Sequence, residues 1–323
     1  MSATPTSGNI SVNSFPSECQ RIRDEDRMLK RQSNLVNDFY PMIVHDTFVE
    51  AWETTNNTFV KIVDVPGTLS GQILRLRANI PQLKTHCEIK GGIISPLPFK
   101  AKPSPIMEDA EPIVRPIHQL PLVTFDEKLH FAKECRAPNE VDNLLRAKGH
   151  PNVVELLGQT EDGKLVFPRY LLHPEFEFFG GTIPDLKRVL LQLADAVIFL
   201  HSKGIVHRDL NLRNILFEPG RNVILCDLES QYGSAFCPEI AHAVEQGCPN
   251  SDLPYSEKSD VFCFGTTMAE FILSNNVRTP WQFTDNFRPP APFDQIVQAC
   301  IRREAAHRPT MQQVRDMLLS VME

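Results

Sequence analysis

The sequence is most informative in what it leaves out. No stretch of eighteen consecutive apolar residues occurs, so no membrane-spanning helix is expected. The first sixteen residues are rich in Ser, Thr and Asn and have no apolar secretory core. Eight cysteines are scattered along the chain, and no two form a C-x-x-C pair. They read as reduced and mostly buried thiols, which points to a cytosolic or nuclear protein and away from a cysteine metal site. A net charge of -7 argues against nucleic-acid binding through bulk basicity. No G-x-x-x-x-G-K-[ST] phosphate loop is present, so Asp64-Val65-Pro66-Gly67 is not read as part of a GTPase. Glycine is missing altogether between Gly92 and Gly149.

What is present divides the 323 residues into two textures. Residues 1–36 read as a disordered or exposed leader, with the charges of Arg21 to Arg31 on a solvated helix. Residues 37–119 read as a β-rich extension, or as part of a small lobe. Strands are expected at Thr58 to Val63 and over the alternating Gly71 to Arg77, with a turn at Val65-Pro66-Gly67. Seven prolines between Pro96 and Pro121 predict a linker. Beyond it, residues 120–172 give strands at Leu129 to Lys133, Val153 to Leu157 and Leu165 to Phe167, and a helix from Asn139 to Lys148. Residues 173–323 are mainly helical. Leu186 to His201 is strongly amphipathic, two short strands follow at Ile215 to Phe217 and Val223 to Cys226, and Asp260 to Leu273, Phe293 to Arg303 and Thr310 to Met322 supply further helices. Strands first and helices afterwards predict an α+β chain of two lobes.

Chemistry concentrates in His207-Arg208-Asp209-Leu210-Asn211-Leu212-Arg213-Asn214. A carboxylate and an amide five residues apart on one loop can divide labour. Asp209 can accept the proton of an attacking hydroxyl, and Asn214 can offer an oxygen to a metal ion. Asp227 follows thirteen residues later, at the end of an apolar strand, where it too can hold Mg²⁺. Phosphoryl transfer needs this kind of positioning and charge neutralisation.

At these residues the chain resembles the eukaryotic protein kinase family, whose H-R-D-L-x-x-x-N pattern is present in full. Cys237-Pro238-Glu239 stands where the family has Ala-Pro-Glu. Ser259-Asp260-Val261 to Gly265 is similar to the family's Asp-Val-x-x-x-Gly, and His307-Arg308-Pro309 to its late arginine. The resemblance implies a bilobal fold, a structural ion pair between Glu239 and Arg308, and a structural Asp260 tying down the loop of His207 and Arg208. It implies ATP and Mg²⁺ as cofactors, with Asn214 and Asp227 as metal ligands. Lys133 of Phe131-Ala132-Lys133 would bind the phosphates, paired with Glu140, and Lys128 and Lys102 are competing lysines. Val166 to Leu172 would contact the adenine.

Three departures bear on function. Asp227-Leu228-Glu229 replaces Asp-Phe-Gly, which puts a side chain where the family keeps a flexible glycine. Only nine residues, 228–236, separate Asp227 from Cys237. No G-x-G-x-x-G precedes Lys133. Together these features look like a kinase-like group expanded in fungi. The leading expectation is a kinase acting on protein hydroxyls, Ser/Thr or Tyr undecided. A pseudokinase serving as a nucleotide-binding or scaffold module is the main alternative, and a small-molecule kinase is a further one.

Overall fold

A computed structural model describes residues 14–102, 119–137, 139–171, 182–219, 222–229, 237–275, 279–282 and 289–322. The expected disorder of residues 1–13, most of the proline-rich linker (103–118), Leu172 of the adenine connector and the segment 230–236 lie outside them.

Helix α1, Phe15–Gln32, places Pro16 in its first turn, where a missing amide costs nothing. Its charges do not form a purely solvated face, as the sequence suggests. Arg23, Asp26 and Lys30 are buried along with Phe15, Cys19 and Ile22. They are tolerated because each finds a partner. Lys30 Nζ lies 2.7 Å from Asp26, and Arg23 Nε donates to the Ile272 carbonyl at 2.8 Å. The ring of Phe15 meets that of Phe293 at 5.6 Å. The helix is thus a structural strap on the helical part of the molecule, not an exposed leader.

A short helix, α2 (Asn34–Asn37), leads into five strands: β1 Phe39–Val44, β2 Phe48–Glu53, β3 Phe59–Val63, β4 Cys87–Lys90 and β5 Ile93–Pro96. They form one sheet in sequence order. All neighbours are antiparallel except β3 and β4, which are parallel. A parallel pair needs a crossover, and helix α3, Leu69–Leu74, supplies it. This corrects the expected strand from Gly71 to Arg77. Seven alternating residues are too short a signal, and Ile73, Leu74 and Leu76 are all buried, which alternation does not allow. Gly71 is required here, because a Cβ would stand 2.4 Å from the Val65 carbonyl oxygen. The sheet's core of Val49, Val60, Ile62, Ile73 and Ile89 is completed by Trp281 from the helical lobe. Thr279 donates to the Leu74 carbonyl at 2.6 Å, and Arg303 pairs with Asp46 in the β1–β2 turn.

A second sheet carries the cleft. β6 (His130–Lys133), β7 (Gly158–Gln159) and β8 (Leu165–Pro168) run in the order β6-β8-β7, with helix α4 (Glu140–Arg146) beside them. It shares no strand with the first sheet. The strand expected at Val153 to Leu157 does not form, and β7 begins only after it, at Gly158. Val153 instead makes a single bridge to Leu225, and Val154 donates to the Leu225 carbonyl at 2.9 Å.

Below the cleft, α5 (Ile183–Ser202) begins at Thr182, whose hydroxyl accepts from the Asp185 amide. Strands β9 (Ile215–Phe217) and β10 (Val223–Leu225) form a hairpin, and α6 (Pro238–Glu245) follows. Helix α7 (Glu257–Leu273) is buried from Ser259 to Leu273, as its nearly all-round apolar sequence demands. Gly265 lets the chain after α8 (Asp294–Cys300) cross it closely, since a Cβ there would sit 2.6 Å from the Cys300 Cβ. Helix α9 (Met311–Leu319) starts with a reciprocal cap between Thr310 and Gln313. The outcome is an α+β, two-lobed arrangement, with the first sheet and α1 docked on the helical lobe.

Candidate active site

The loop from His207 to Asn214 is fixed from beneath. Asp260, fully buried on α7, accepts the His207 and Arg208 amides at 2.8 Å each and faces His201 Nε2 at 2.9 Å. His207 Nε2 stands 2.9 Å from the Cys226 carbonyl, which joins this loop to the end of β10. Arg208 and Asp227 both hold positive φ, at 73° and 67°. Non-glycine residues occupy that region only where the surroundings impose it. The amide bonds to Asp260 do so at Arg208.

Asn214 sits in the short helical turn between loop and hairpin. Its Nδ2 donates to the Asp209 carbonyl at 2.8 Å and to Asp209 Oδ2 at 2.9 Å. The Cys226 amide donates to the Asn214 carbonyl at 2.9 Å. One network therefore holds Asp209, Asn214 and the residue before Asp227.

Across the cleft, Lys133 at the end of β6 reaches Glu140 Oε1 at 2.8 Å, Asp227 Oδ1 at 2.9 Å and Glu229 Oε1 at 2.9 Å. Glu140 is 1% exposed on α4. Burial would depress the Lys133 ammonium's pKa, but the three carboxylates outweigh it and hold it above its ordinary value. Burial also pushes the Glu140 carboxyl up, against the pull of Lys133. The competing lysines lie elsewhere: Lys128 and Lys102 are both exposed.

Lys133, Glu140 and Asp227 border a cavity of about 340 Å³. Phe131, Leu144, Val154, Phe167 and Leu216 give it an apolar floor and roof, and Lys133, Asn214 and Asp227 make its polar end. Phe167, Pro168, Arg169 and Tyr170 of the connecting strand form the side wall. Leu171 next in line pairs with Phe217 of β9, at 2.8 and 3.1 Å. The polar donors suit a hard divalent cation, because Asn214, Asp227, Glu140 and Glu229 all offer oxygen. The carboxylate oxygens of Glu140, Asp227 and Glu229 lie within 4.8 Å of one another. Glu140 Oε2 is buried with no hydrogen-bond partner.

Below the loop, Arg308 is buried and grips Glu239 with both nitrogens, at 2.8 and 2.7 Å. It also donates to the carbonyls of Arg302, Lys258 and Arg303. Its guanidinium lies 4.9 Å from the Phe262 ring centroid. Burial opposes ionisation of Glu239, yet the bonds from Arg308 and Cys237 bring its carboxyl below the ordinary value.

The structure thus brings Lys133, Glu140, Asp227 and Asn214 to one cavity, with Asp209 bonded to Asn214 beside it, and places His207, Arg208, Asp260, Glu239 and Arg308 in the frame beneath. Sequence reasoning missed the side-chain role of Glu229. The substitution for glycine is visible in the chain, but only as a change in backbone freedom.

A cleft between a small sheet and a helical lobe, bordered by the end of this loop, is the architecture of a kinase domain. The family model for protein tyrosine and serine/threonine kinase matches residues 127–318. The chain belongs to that family. Among its curated relatives, a serine/threonine-protein kinase-like protein of Arabidopsis thaliana is 33% identical over 146 residues, 42% of this chain and 43% of its own length. Glycogen synthase kinase 1 of Pyricularia oryzae is 27% identical over 270 residues, 74% of this chain and 59% of its own. The Aurora kinase of Dictyostelium discoideum is 27% identical over 160 residues, 44% of this chain and 39% of its own. The chain covers less than two thirds of each of these relatives. No described helix is long and apolar enough to cross a membrane.

Proposed function

We propose that the protein is a kinase that transfers the ATP γ-phosphate to a protein hydroxyl, using Mg²⁺. The observation that carries this reading is the pairing of Lys133 with Glu140 at the polar end of a cavity that Asn214 and Asp227 also line. The adenine would lie between Val154 and Leu216, beside the Phe167 to Tyr170 wall. Lys133 would hold the α- and β-phosphates. Asn214 and Asp227 would ligate Mg²⁺, which when bound neutralises the triphosphate and draws charge from its oxygens. Asp209 would accept the acceptor hydroxyl's proton through its carboxylate, oriented by the bond from Asn214 Nδ2.

Purified protein incubated with labelled ATP, Mg²⁺ and a generic protein substrate tests this, with Asp209→Asn as control. Transfer that disappears in the variant supports the kinase. A second reading has its own observation: Glu229 occupies Lys133, as no glycine at that position could. Under it the protein is a pseudokinase, and the assay shows nucleotide binding with no transfer in either form.

A further inference from the structure

A lysine ammonium has three hydrogens to donate. At Lys133 all three find carboxylate oxygens, at 2.8 Å (Glu140), 2.9 Å (Asp227) and 2.9 Å (Glu229). A phosphate oxygen therefore reaches Lys133 only by displacing one of them. Glu140 is almost completely buried on α4, so its carboxylate loses more by leaving the Lys133 ammonium than an exposed one would. Asp227 is held by a left-handed backbone between β10 and Leu228, whose carbonyl accepts from Asn143 at 2.9 Å. Asp227 has the more exposed side chain, 35% against 18% for Glu229, but a bound metal would keep it at the cavity. Glu229 carries the longer side chain and stands outside the cavity lining. It is the one that can yield.

Local charge adds a second condition. Three carboxylates around one ammonium leave the polar end of the cavity at a net charge of about -2 before any phosphate arrives. Arg169 and Arg213 also border the cavity, but both are exposed, where solvent and salt weaken their field. A bare triphosphate entering this end meets repulsion, and a displaced Glu229 carboxylate needs a cation to rest on.

We propose that Glu229 couples nucleotide occupancy of this cleft to a divalent cation, by holding Lys133 until a metal-bound phosphate displaces it. The inference rests on the nucleotide reading given above. It assigns Glu229 a positioning role at Lys133 and makes the metal a condition of binding as well as of transfer.

Calorimetric titration of the whole protein with ADP and with ATP, each in EDTA and in Mg²⁺, tests the coupling for the native chain, Glu229→Gln and Glu229→Gly. Removing the carboxylate should strengthen metal-free nucleotide binding by about tenfold or more, the size of one charge-assisted hydrogen bond. It should also shrink the gain that Mg²⁺ gives. The same metal-free affinity in all three proteins overturns the proposal. So does a variant that loses the Mg²⁺-supported affinity with no metal-free gain, since Glu229 would then be a plain metal ligand. Failure of the native chain and both variants to bind nucleotide even in Mg²⁺, with unaltered thermal unfolding, instead overturns the nucleotide reading itself. Lys133→Ala serves as the marker that observed binding is at this cleft.

Discussion

Asp260 offers the sharpest check on the frame beneath the cleft. Its two oxygens accept the amides of His207 and Arg208 at 2.8 Å, and its side chain is fully buried. Asp260→Asn keeps the shape and removes the charge. The amide group has only one oxygen, so one of the two backbone N–H groups loses its acceptor and faces an NH₂ instead. A hydrogen bond to a charged acceptor contributes about 1.5–3 kcal/mol, and an orphaned buried donor costs a similar amount. The φ of 73° at Arg208 stores a further cost of about 1–3 kcal/mol that those bonds now offset. The expected loss of stability is about 2–4 kcal/mol, large against a total of about 5–15 kcal/mol for an ordinary domain. Urea denaturation measures it, and hydrogen exchange should show the amides of residues 207 and 208 deprotected. A loss under about 0.5 kcal/mol, with those amides still protected, would refute the claim that Asp260 holds the loop.

Two other perturbations probe the packing around the site. Arg308→Ala leaves the Glu239 carboxylate and three carbonyls without their donor, so a loss of about 3–5 kcal/mol is expected in the same denaturation experiment. Because the folded Glu239 titrates below its ordinary 4.5, its contribution is complete above that pH and vanishes as pH falls through the folded value. The stability gap between the native chain and Glu239→Gln should accordingly close on acidification below the ordinary glutamate range. Trp281→Ala empties a site in the core of the first sheet, with an expected cost of about 3–5 kcal/mol. Limited proteolysis should then cut first within residues 39–96, and an unchanged cleavage pattern would mean that Trp281 does not pin that sheet.

Much of the helical lobe is legible in the amino-acid order alone. The apolar spacing of Leu186, Val189, Leu190, Leu193, Val197 and Leu200 marks one face of α5, and all six are buried. The β9–β10 hairpin and the helix read over Asp260 to Leu273, which starts at Glu257, are legible in the same way, because hydrophobic period and turn chemistry are local properties. The spacing of Asp209, Asn214 and Asp227 is also visible, since all three flank one hairpin.

Other features are not legible. Alternation at Gly71 to Arg77 points to a strand, but a parallel crossover between β3 and β4 requires a helix there. Arg23, Asp26 and Lys30 look like solvent-facing charges until α1 is pressed against α7, where a distant carbonyl and an i,i+4 partner accommodate them.

The chain by itself determined the main helices of the helical lobe, the strands β3, β6, β8, β9 and β10, and which loop carries oxygen-bearing side chains at kinase spacing. Tertiary structure alone decided that β1–β5 form a sheet separate from β6–β8, that Trp281 crosses into its core, and that Glu229 shares Lys133 with Glu140 and Asp227. Periodicity and spacing express forces between near neighbours in sequence. An ammonium 96 residues from its carboxylate partner is positioned only when the lobes close on each other.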